Sequence, residues 1–279
     1  MNAWLVYEEG NTKRNYKFIR HWIKLGKEKG IKFKLVLRQQ LFYGVKNDKL
    51  ALKIKGEDVR PDFALMRLNA PLLSQHMEAM GIPVFNNAHV ARICNDKRLT
   101  HDFLAGQVPM MDTAFVDISS ENAPFDYPVV VKASNSCGGR KVFLCRGNEE
   151  YKKALQNCFP DTAVVQPLSD TIGKDVRVYV LGNKILQPMM RFSTNGDFRS
   201  NIGQGGDAAP YELDSETKKH VNKIISNFEF SFVGIDFIFN SGKLVFNEIE
   251  DAVGTRMLFA HTSIDPVAEY LNYIIKYLS

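Results

Sequence analysis

The sequence predicts two kinds of architecture in one chain, an α/β part followed by an α+β part. Up to residue 86, short apolar runs alternate with helical segments, which is typical of a small parallel sheet covered by helices. From Asp175 onward, apolar runs follow one another across short turns, which is typical of antiparallel strands. We therefore predict three parts, at residues 1–86, 87–165 and 166–279.

The individual elements follow from apolar runs and helical periodicity. In the N-terminal part we predict strands at Leu5–Tyr7, Phe33–Leu37, Ala64–Met66 and Pro83–Phe85, and helices at residues 13–27 and 71–80. In the middle part we predict a helix at 87–105, a buried strand at Pro128–Lys132, a loop at 134–139, a helix at 149–157 and a strand at Val164–Leu168. In the last part we predict strands at 176–181, 184–190, 234–239 and 244–251, and helices at 214–228 and 264–278.

Composition is that of an ordinary soluble globular protein, with 45% apolar and 24% charged residues in a chain of 279. No apolar run approaches the roughly 18 residues of a membrane span. The first residues form neither a basic nor an apolar leader region, so we expect a cytoplasmic protein that does not enter a membrane. The cysteines form no C-x-x-C pair, which favours reduced thiols over a zinc site or disulfides. They are Cys94, Cys137, Cys145 and Cys158.

Positive charge is concentrated near the N-terminus. Residues 1–60 carry 15 Lys and Arg against 6 Asp and Glu, whereas the whole chain has a net charge of +5. A solvated helix face is the simpler interpretation of this surplus. Docking of nucleic acid, the ribosome or an acidic peptide is the alternative, although no recognised nucleic-acid motif supports it.

Three carboxylates interrupt two apolar strands near the C-terminus. Glu248 and Glu250 are two residues apart and therefore point the same way from one strand. If the chain turns near Ser241-Gly242, Asp236 lies opposite them on the neighbouring strand. Carboxylates on one face repel one another unless a cation lies between them, and oxygen ligands suit Mg²⁺. A solvated acidic face is the alternative, but the apolar surroundings favour a divalent metal site.

A second group of residues suits a triphosphate. Lys132 ends an apolar strand and precedes a small, glycine-containing loop whose backbone N–H groups could cover phosphate oxygens. The segment is neither a Walker A motif nor a G-x-G-x-x-G fingerprint, and an ordinary turn is the alternative. Lys97 alone would be a surface helix lysine. Arg191 and Arg199 lie close to the acidic strands in sequence, and guanidinium groups bind phosphate and carboxylate.

The order of these motifs resembles the ATP-grasp superfamily, and within it the RimK type, the ribosomal-protein glutamate ligases and their relatives. The resemblance covers roughly residues 86–258, whereas residues 1–85 match mainly in general architecture. It therefore implies an ATP-grasp fold behind a small pre-ATP-grasp domain. The matching motifs are Asn95–Lys97, Val129–Lys132, Ser136–Gly139, Gln166, Asp175–Arg177, Arg191, Gly196–Asn201, Gly205-Gly206, Gly234–Asp236 and Glu248–Glu250.

The resemblance also implies a role for individual positions. It implies that the catalytic residues are Lys132 and Arg191, with Arg191 stabilising the transferring phosphoryl group. Metal binding, of two Mg²⁺ ions, is implied for Asp236, Glu248 and Glu250. ATP binding is implied for Lys97, Lys132, Ser136, Gly138, Gly139, Gln166, Pro167, Leu168, Asp175, Arg199, Ser200 and Asn201. Within that set, residues 166–168 would hold adenine and Asp175 the ribose.

Two departures from the family pattern are visible. Relatives usually carry Asn where this chain has Glu250, and an extra anion should tighten Mg²⁺ or favour Mn²⁺. We expect Arg256 or Lys132 to compensate this charge. The next segment, residues 251–257, keeps one glycine of the usual pattern and little else. Because that segment is expected near the acceptor, the identity of the acceptor is the least transferable property.

The expected function is that of an ATP-dependent carboxylate–amine ligase that forms an amide through an acyl phosphate and releases ADP. The partners would be ATP, a carboxylate and an amine such as glutamate, with an acidic peptide or protein as one candidate acceptor. Relatives are commonly oligomers, so a homo-oligomer is an option. Three alternatives stay open: a small-molecule kinase, a nucleotide-binding regulator without catalysis, and a nucleic-acid-binding module.

Overall fold

The N-terminal part folds as a four-stranded parallel sheet, as the sequence predicts. This computed structural model describes residues 1–136, 138–200 and 206–279. The strand order is β2-β1-β6-β7, which places β1 and β6 at the centre. The strands are β1 (Asn2–Tyr7), β2 (Lys32–Leu37), β6 (Phe63–Met66) and β7 (Val84–Phe85), and the helices are α1 (Glu9–Thr12), α2 (Tyr16–Glu28) and α3 (Pro71–Ala79).

A three-stranded antiparallel sheet, which our sequence interpretation missed, is inserted between β2 and β6. It consists of β3 (Leu41–Lys46), β4 (Lys49–Ile54) and β5 (Glu57–Asp58). Asn47 and Asp48 form the first turn with φ values of 50° and 59°. Asn and Asp tolerate this left-handed conformation, which a two-residue hairpin turn of this kind requires. The Asn-Asp pair was therefore an available signal.

The helix predicted over 87–105 is two helices. Helix α4 (Ala88–Cys94) begins at Asn87, whose side chain accepts from the Val90 N–H, and α5 (Lys97–Leu104) begins at Asp96, which accepts from the Arg98 N–H. An acidic N-cap satisfies the free N–H groups at the start of a helix. The cap therefore starts a new helix at Lys97.

Two antiparallel sheets form the rest of the chain. The central sheet has the order β10-β9-β11-β8, and the C-terminal sheet has the order β14-β13-β12-β15-β16. The central strands are β8 (Ala114–Val116), β9 (Val129–Ala133), β10 (Val142–Cys145) and β11 (Ala163–Pro167). The C-terminal strands are β12 (Lys174–Leu181), β13 (Lys184–Ser193), β14 (Gly206–Pro210), β15 (Phe232–Asn240) and β16 (Lys243–Glu250). The helices are α6 (Asn148–Cys158), α7 (Ser215–Ile225), α8 (Arg256–His261) and α9 (Pro266–Leu278).

One apolar core connects the first and last parts of the chain. Buried side chains of the parallel sheet, such as Leu5 and Phe63, belong to the same cluster as Phe232 and Leu271. Trp22 of α2 contacts Tyr270 of α9 edge to face, with ring centroids 5.6 Å apart. The C-terminal helix thus packs against the N-terminal part. None of the helices in the described ranges is long and apolar enough to cross a membrane.

Candidate functional site

A cleft between the central and C-terminal sheets collects most of the predicted site residues. Strands β9, β10 and β11 contribute to it from one sheet, and β12, β13, β15 and β16 from the other. The predicted residues that line it are Lys97, Lys132, Ser136, Gly139, Gln166, Pro167, Leu168, Asp175, Arg191, Arg199, Ser200 and Glu248. Gly138, Asp236 and Glu250 do not line it, and Asn201 lies outside the described residues.

The cleft is both apolar and cationic. A flat aromatic ring such as adenine is suited to the apolar part of such a lining, whereas phosphates are suited to the cations. Its apolar lining residues are Val130, Val142, Leu168, Ile172, Phe198 and Ile238. The cleft therefore has the composition that a nucleotide requires.

Lys132 projects from β9 into the cleft and is held by two neutral side chains. Its Nζ donates to Gln166 Oε1 at 2.6 Å and to Asn247 Oδ1 at 2.7 Å. Burial lowers the pKa of Lys132 to about 8, partly offset by the nearby Glu248 carboxylate. Sequence reasoning did not find Asn247. The available signal was a polar residue directly before the predicted metal-binding Glu248.

A β-bulge explains how Asn247 reaches the cleft. Asp236 pairs with Glu248, as the predicted hairpin requires, whereas Phe237 pairs with Phe246. Asn247 is therefore the extra residue of the bulge. Regular strand residues alternate between the two faces, but both Asn247 and Glu248 line the cleft.

Two arginines and three carboxylates form a buried chain of ion pairs, which we call the arginine network. Arg191 donates to both oxygens of Asp175 at 2.6 Å and to Asp236 Oδ2 at 2.7 Å. Arg177 donates to both oxygens of Asp236 at 2.7 and 2.6 Å, and to Glu250 Oε2 at 2.7 Å. Despite the cost of burial, these guanidinium groups hold the pKa of Asp236 below its usual range.

The register of the sheet creates this network. Asp175 is directly opposite Arg191, and Arg177 is directly opposite Asp236. Gly234 leaves room for Arg177, because a Cβ there would lie 3.1 Å from Arg177 Cδ. Arg177 belongs to the motif Asp175–Arg177, and the family resemblance implies no role for it. In the structure it is the cation that joins Asp236 to Glu250.

Two arginines lie between carboxylates that we expect to need a cation, and the metal-binding role of Asp236, Glu248 and Glu250 stays a prediction. Within the described ranges, no group of three or more His, Cys, Asp or Glu side chains is arranged to hold a metal. The cations between the carboxylates are Arg177 and Arg191, while Lys97 Nζ lies 3.2 Å from Glu248 Oε2. Arg177 compensates Glu250, in place of the expected Arg256 or Lys132.

The carboxylates still fit a divalent cation to different degrees. Glu248 and Glu250 each keep one oxygen to which no described residue donates, and their side chains are 18% and 17% exposed. Asp236 is fully buried, and both of its oxygens accept from arginine. The oxygen chemistry therefore suits Mg²⁺ at the two glutamates, whereas Asp236 is available only if an arginine contact yields.

The loop after β9 contacts the segment that carries Arg199. Arg199 Nη1 donates to the backbone oxygen of Gly139 at 3.1 Å, and its other nitrogens bind Asp197. Lys97 Nζ donates to the backbone oxygen of Ser136. Gly138 and Gly139 have φ values of 68° and 70°, a conformation that favours glycine. The structure thus brings together two segments that the sequence assigned to phosphate binding.

Asp251, in the segment that departs from the family pattern, joins three parts of the chain. Its carboxylate accepts from Asn86 at 2.7 Å and from Asn95 at 3.0 Å. Asn86 also accepts from the backbone N–H groups of Ser231 and Phe232. Burial raises the pKa of Asp251. This junction fixes the loop that follows Glu250.

Two named synthases are similar to this chain in sequence. The chain is 29% identical over 248 residues to N-acetylaspartylglutamate synthase A of Homo sapiens, covering 81% of this chain and 63% of that protein. It is 27% identical over 248 residues to beta-citrylglutamate synthase B of Danio rerio, covering 81% of this chain and 61% of that protein. The chain thus spans about three fifths of the length of these relatives.

Solved structures share the fold. The D-cycloserine synthetase DcsG superposes with a TM-score of 0.73 at 13% identity, covering both chains completely. The D-alanine–D-alanine ligase of Bacillus anthracis complexed with ATP superposes with a TM-score of 0.72 at 16% identity, covering 100% of this chain and 97% of that chain. At these identities the similarity establishes an ATP-grasp fold alone.

The sequence profile of the RimK-like ATP-grasp domain matches residues 106–274, which include the whole of the C-terminal sheet and most residues of the cleft. This match covers more than half of the chain. It agrees with the resemblance that the motifs indicated from Lys132 to Glu250. The chain therefore belongs to the RimK-like ATP-grasp family.

Proposed function

We propose that this chain is an ATP-dependent carboxylate–amine ligase that forms an amide bond through an acyl phosphate. The observation that carries the proposal is the cleft, where Lys97, Lys132, Arg191 and Glu248 line one space together with six apolar side chains. Family membership supports the same activity. The full set of charged positions argues against a regulatory protein that only binds nucleotide.

In the proposed complex, ATP lies between the two sheets. Residues 166–168 face the adenine, and Lys97 and Lys132 neutralise the phosphates. Ser136, Gly139, Arg199 and Ser200 cover the phosphate end from the two segments that contact each other. The ribose contact of Asp175 stays a prediction, because Arg191 already occupies both of its carboxylate oxygens.

We propose that Glu248 and Glu250 hold Mg²⁺ through their remaining oxygens, with Asp236 as a third ligand if Arg177 or Arg191 releases one of its oxygens. When bound, the metal neutralises phosphate charge and orients the transferring group. A second ion remains a prediction from the family resemblance, and a preference for Mn²⁺ remains a prediction from the extra charge of Glu250.

The proposed reaction has two steps. A substrate carboxylate oxygen attacks the γ-phosphorus of ATP, the bond to the β,γ-bridging oxygen breaks, and ADP and an acyl phosphate form. A neutral amine then attacks the acyl carbon, and the tetrahedral intermediate expels phosphate with the electron pair of the broken bond while the amine proton passes to phosphate or solvent. Arg191 stabilises the charge of the transferring group through Nη1, to which no described residue is hydrogen-bonded.

The names of two relatives support the proposed substrate class. Two of them are named as synthases of N-acetylaspartylglutamate and beta-citrylglutamate, both of which contain glutamate. We therefore propose that an amino acid such as glutamate supplies the amine, and that a peptide, a protein or a small molecule supplies the carboxylate. A cytoplasmic location and a homo-oligomeric state stay predictions.

The test is ADP release from the purified chain over a matrix of carboxylates and amino acids, followed by mass spectrometry of the products. We expect ADP release that requires both substrates and a product of amide mass. Lys132→Ala and Glu248→Ala should each abolish turnover. A phosphorylated product formed without an amine would identify a kinase instead, and no turnover with any pair would favour a regulatory nucleotide-binding protein.

A further inference from the structure

The contacts of Lys132 define the direction of its free N–H donor. An ammonium group has three N–H donors, and two of them point to Gln166 Oε1 and Asn247 Oδ1. Both acceptors are neutral amides. No described residue accepts from the third donor, which is available to a ligand in the cleft that Lys132 lines.

Asn247 also bears on why Lys132 does not pair with Glu248. Glu248 is the next residue in the chain and lines the same cleft, but its ion pair is with Lys97 at 3.2 Å. A direct pair between Lys132 and Glu248 would neutralise both charges and withdraw them from phosphate and metal. The neutral amide of Asn247 occupies the donor that could otherwise form that pair.

The bulge that presents Asn247 is fixed from the open edge of β16. His101 Nε2 lies 3.0 Å from the backbone oxygen of Asn247, and the Phe246 N–H donates to the backbone oxygen of Pro109 at 2.8 Å. The His101 ring also packs against Phe246, with ring centroids 5.5 Å apart. Burial lowers the pKa of His101 to about 4, so the ring is neutral at pH 7 and donates through Nε2.

We propose that Asn247, held in its bulge by His101, is a positioning residue that directs the Lys132 ammonium toward the ATP phosphates and keeps it from pairing with Glu248. This inference rests on the proposed function, because it assumes that ATP occupies the cleft. It assigns a role to a residue outside the motifs that identify the family in this sequence.

The experiment is a double-mutant cycle on ATP affinity with Mg²⁺ present. Asn247→Leu keeps the number and branching of the side-chain heavy atoms and removes the acceptor, and Lys132→Met removes the ammonium. Isothermal titration calorimetry measures the tighter complexes, and saturation-transfer NMR covers the millimolar range. The matched control is Asn240→Leu, at a position on the same hairpin that does not line the cleft.

We expect Asn247→Leu to weaken ATP binding about ten- to a hundredfold in the natural background, because an ionic hydrogen bond is lost. In the Lys132→Met background the same change should weaken binding less than about twofold, since no ammonium remains to be positioned. His101→Phe should weaken ATP binding in the same direction by a smaller factor. Asn240→Leu should leave the affinity unchanged.

Equal weakening by Asn247→Leu in both backgrounds would overturn the inference, because Asn247 would then act without Lys132. Unchanged ATP affinity in Asn247→Leu, with binding by the unmodified chain intact, would overturn the inference alone. Failure of the unmodified chain to bind ATP would overturn the proposed function as well. If Asn247→Leu does not fold, as judged by its thermal unfolding, Asn247→Ala is subject to the same criteria.

Discussion

The two sides of the charged site use their cations differently. In the arginine network each guanidinium makes three hydrogen bonds to carboxylates, and Asp236 at its centre is fully buried. On the other side, Lys132 is held by two neutral amides, those of Gln166 and Asn247, and we call these three residues the lysine side. Buried bidentate pairs fix a sheet, whereas an ammonium with one N–H donor that no described residue binds can serve a ligand. The comparison indicates that the arginine network serves mainly stability and the lysine side mainly binding.

The largest expected effect is on the stability supplied by the arginine network. Asp236→Asn removes the charge that both Arg177 and Arg191 share, and leaves two buried guanidinium groups undercompensated. Breaking such a buried pair costs about 3–5 kcal/mol. Urea denaturation without metal or nucleotide measures it, with Asp117→Asn, at an exposed position, as the matched control. A loss under about 1 kcal/mol would mean that the network is not a structural unit.

The next effect tests the lysine side by ligand binding. Lys132→Met should raise the dissociation constant of ATP about a hundredfold, because a charged contact to phosphate is lost. The free energy of unfolding at pH 7 should change by less than about 1 kcal/mol, since an apolar side chain of similar length avoids the cost of burying an ammonium. Calorimetry and urea denaturation give the two values, and Lys152→Met on α6 is the control. A large loss of stability with unchanged affinity would reverse the assignment.

The third effect is the pH dependence of the free energy of unfolding that arises from His101, which holds the bulge behind Lys132. The pKa of His101 is about 4 in the folded chain and 6.5 in the unfolded chain, so the unfolded chain binds more protons between these values. The contribution of His101 to stability is therefore present above pH 6.5 and is lost as the pH falls through 4. Between pH 7 and 4.5 the natural chain should lose about 2 kcal/mol more than His101→Phe. Urea denaturation at both pH values checks this, and equal losses would contradict it.

The sequence predicted the elements of the fold better than the contacts of the site. Apolar runs located β1, β2, β6 and β7, and the Ser241-Gly242 turn placed Asp236 opposite Glu248. Such elements depend on local periodicity, which can be read along the chain. The antiparallel sheet of residues 41–58 was missed, although its Asn-Asp turn was visible.

The arginine network and the bulge could not be predicted from local periodicity along the sequence. Arg177 and Glu250 are 73 residues apart in sequence, and their contact depends on the register of β12, β15 and β16 together. A one-residue bulge decides whether Asn247 faces the cleft, and bulges leave little trace in an apolar alternation. The sequence could identify the acids and the bases, but only the three-dimensional pairing shows which cation each acid holds.

The smallest expected effect is at Glu250, the member of the arginine network for which we expect Asn in relatives. Glu250→Gln keeps the shape of the side chain and removes its charge, while Arg177 retains both contacts to Asp236. Because Glu250 is partly exposed, the loss of stability should be about 1 kcal/mol, measured by urea denaturation without metal.

The same variant separates two roles of Glu250. If its free oxygen also binds a metal, Glu250→Gln should raise the Mn²⁺ concentration that half-saturates the protein. Electron paramagnetic resonance, with ADP present, measures this concentration. The matched variant Glu248→Gln should raise it more, because that carboxylate lines the cleft. Unchanged Mn²⁺ binding together with the loss of stability would place Glu250 wholly in the arginine network. The family difference at this position would then be a structural counter-charge for Arg177, with Glu248 as the main protein ligand of the metal.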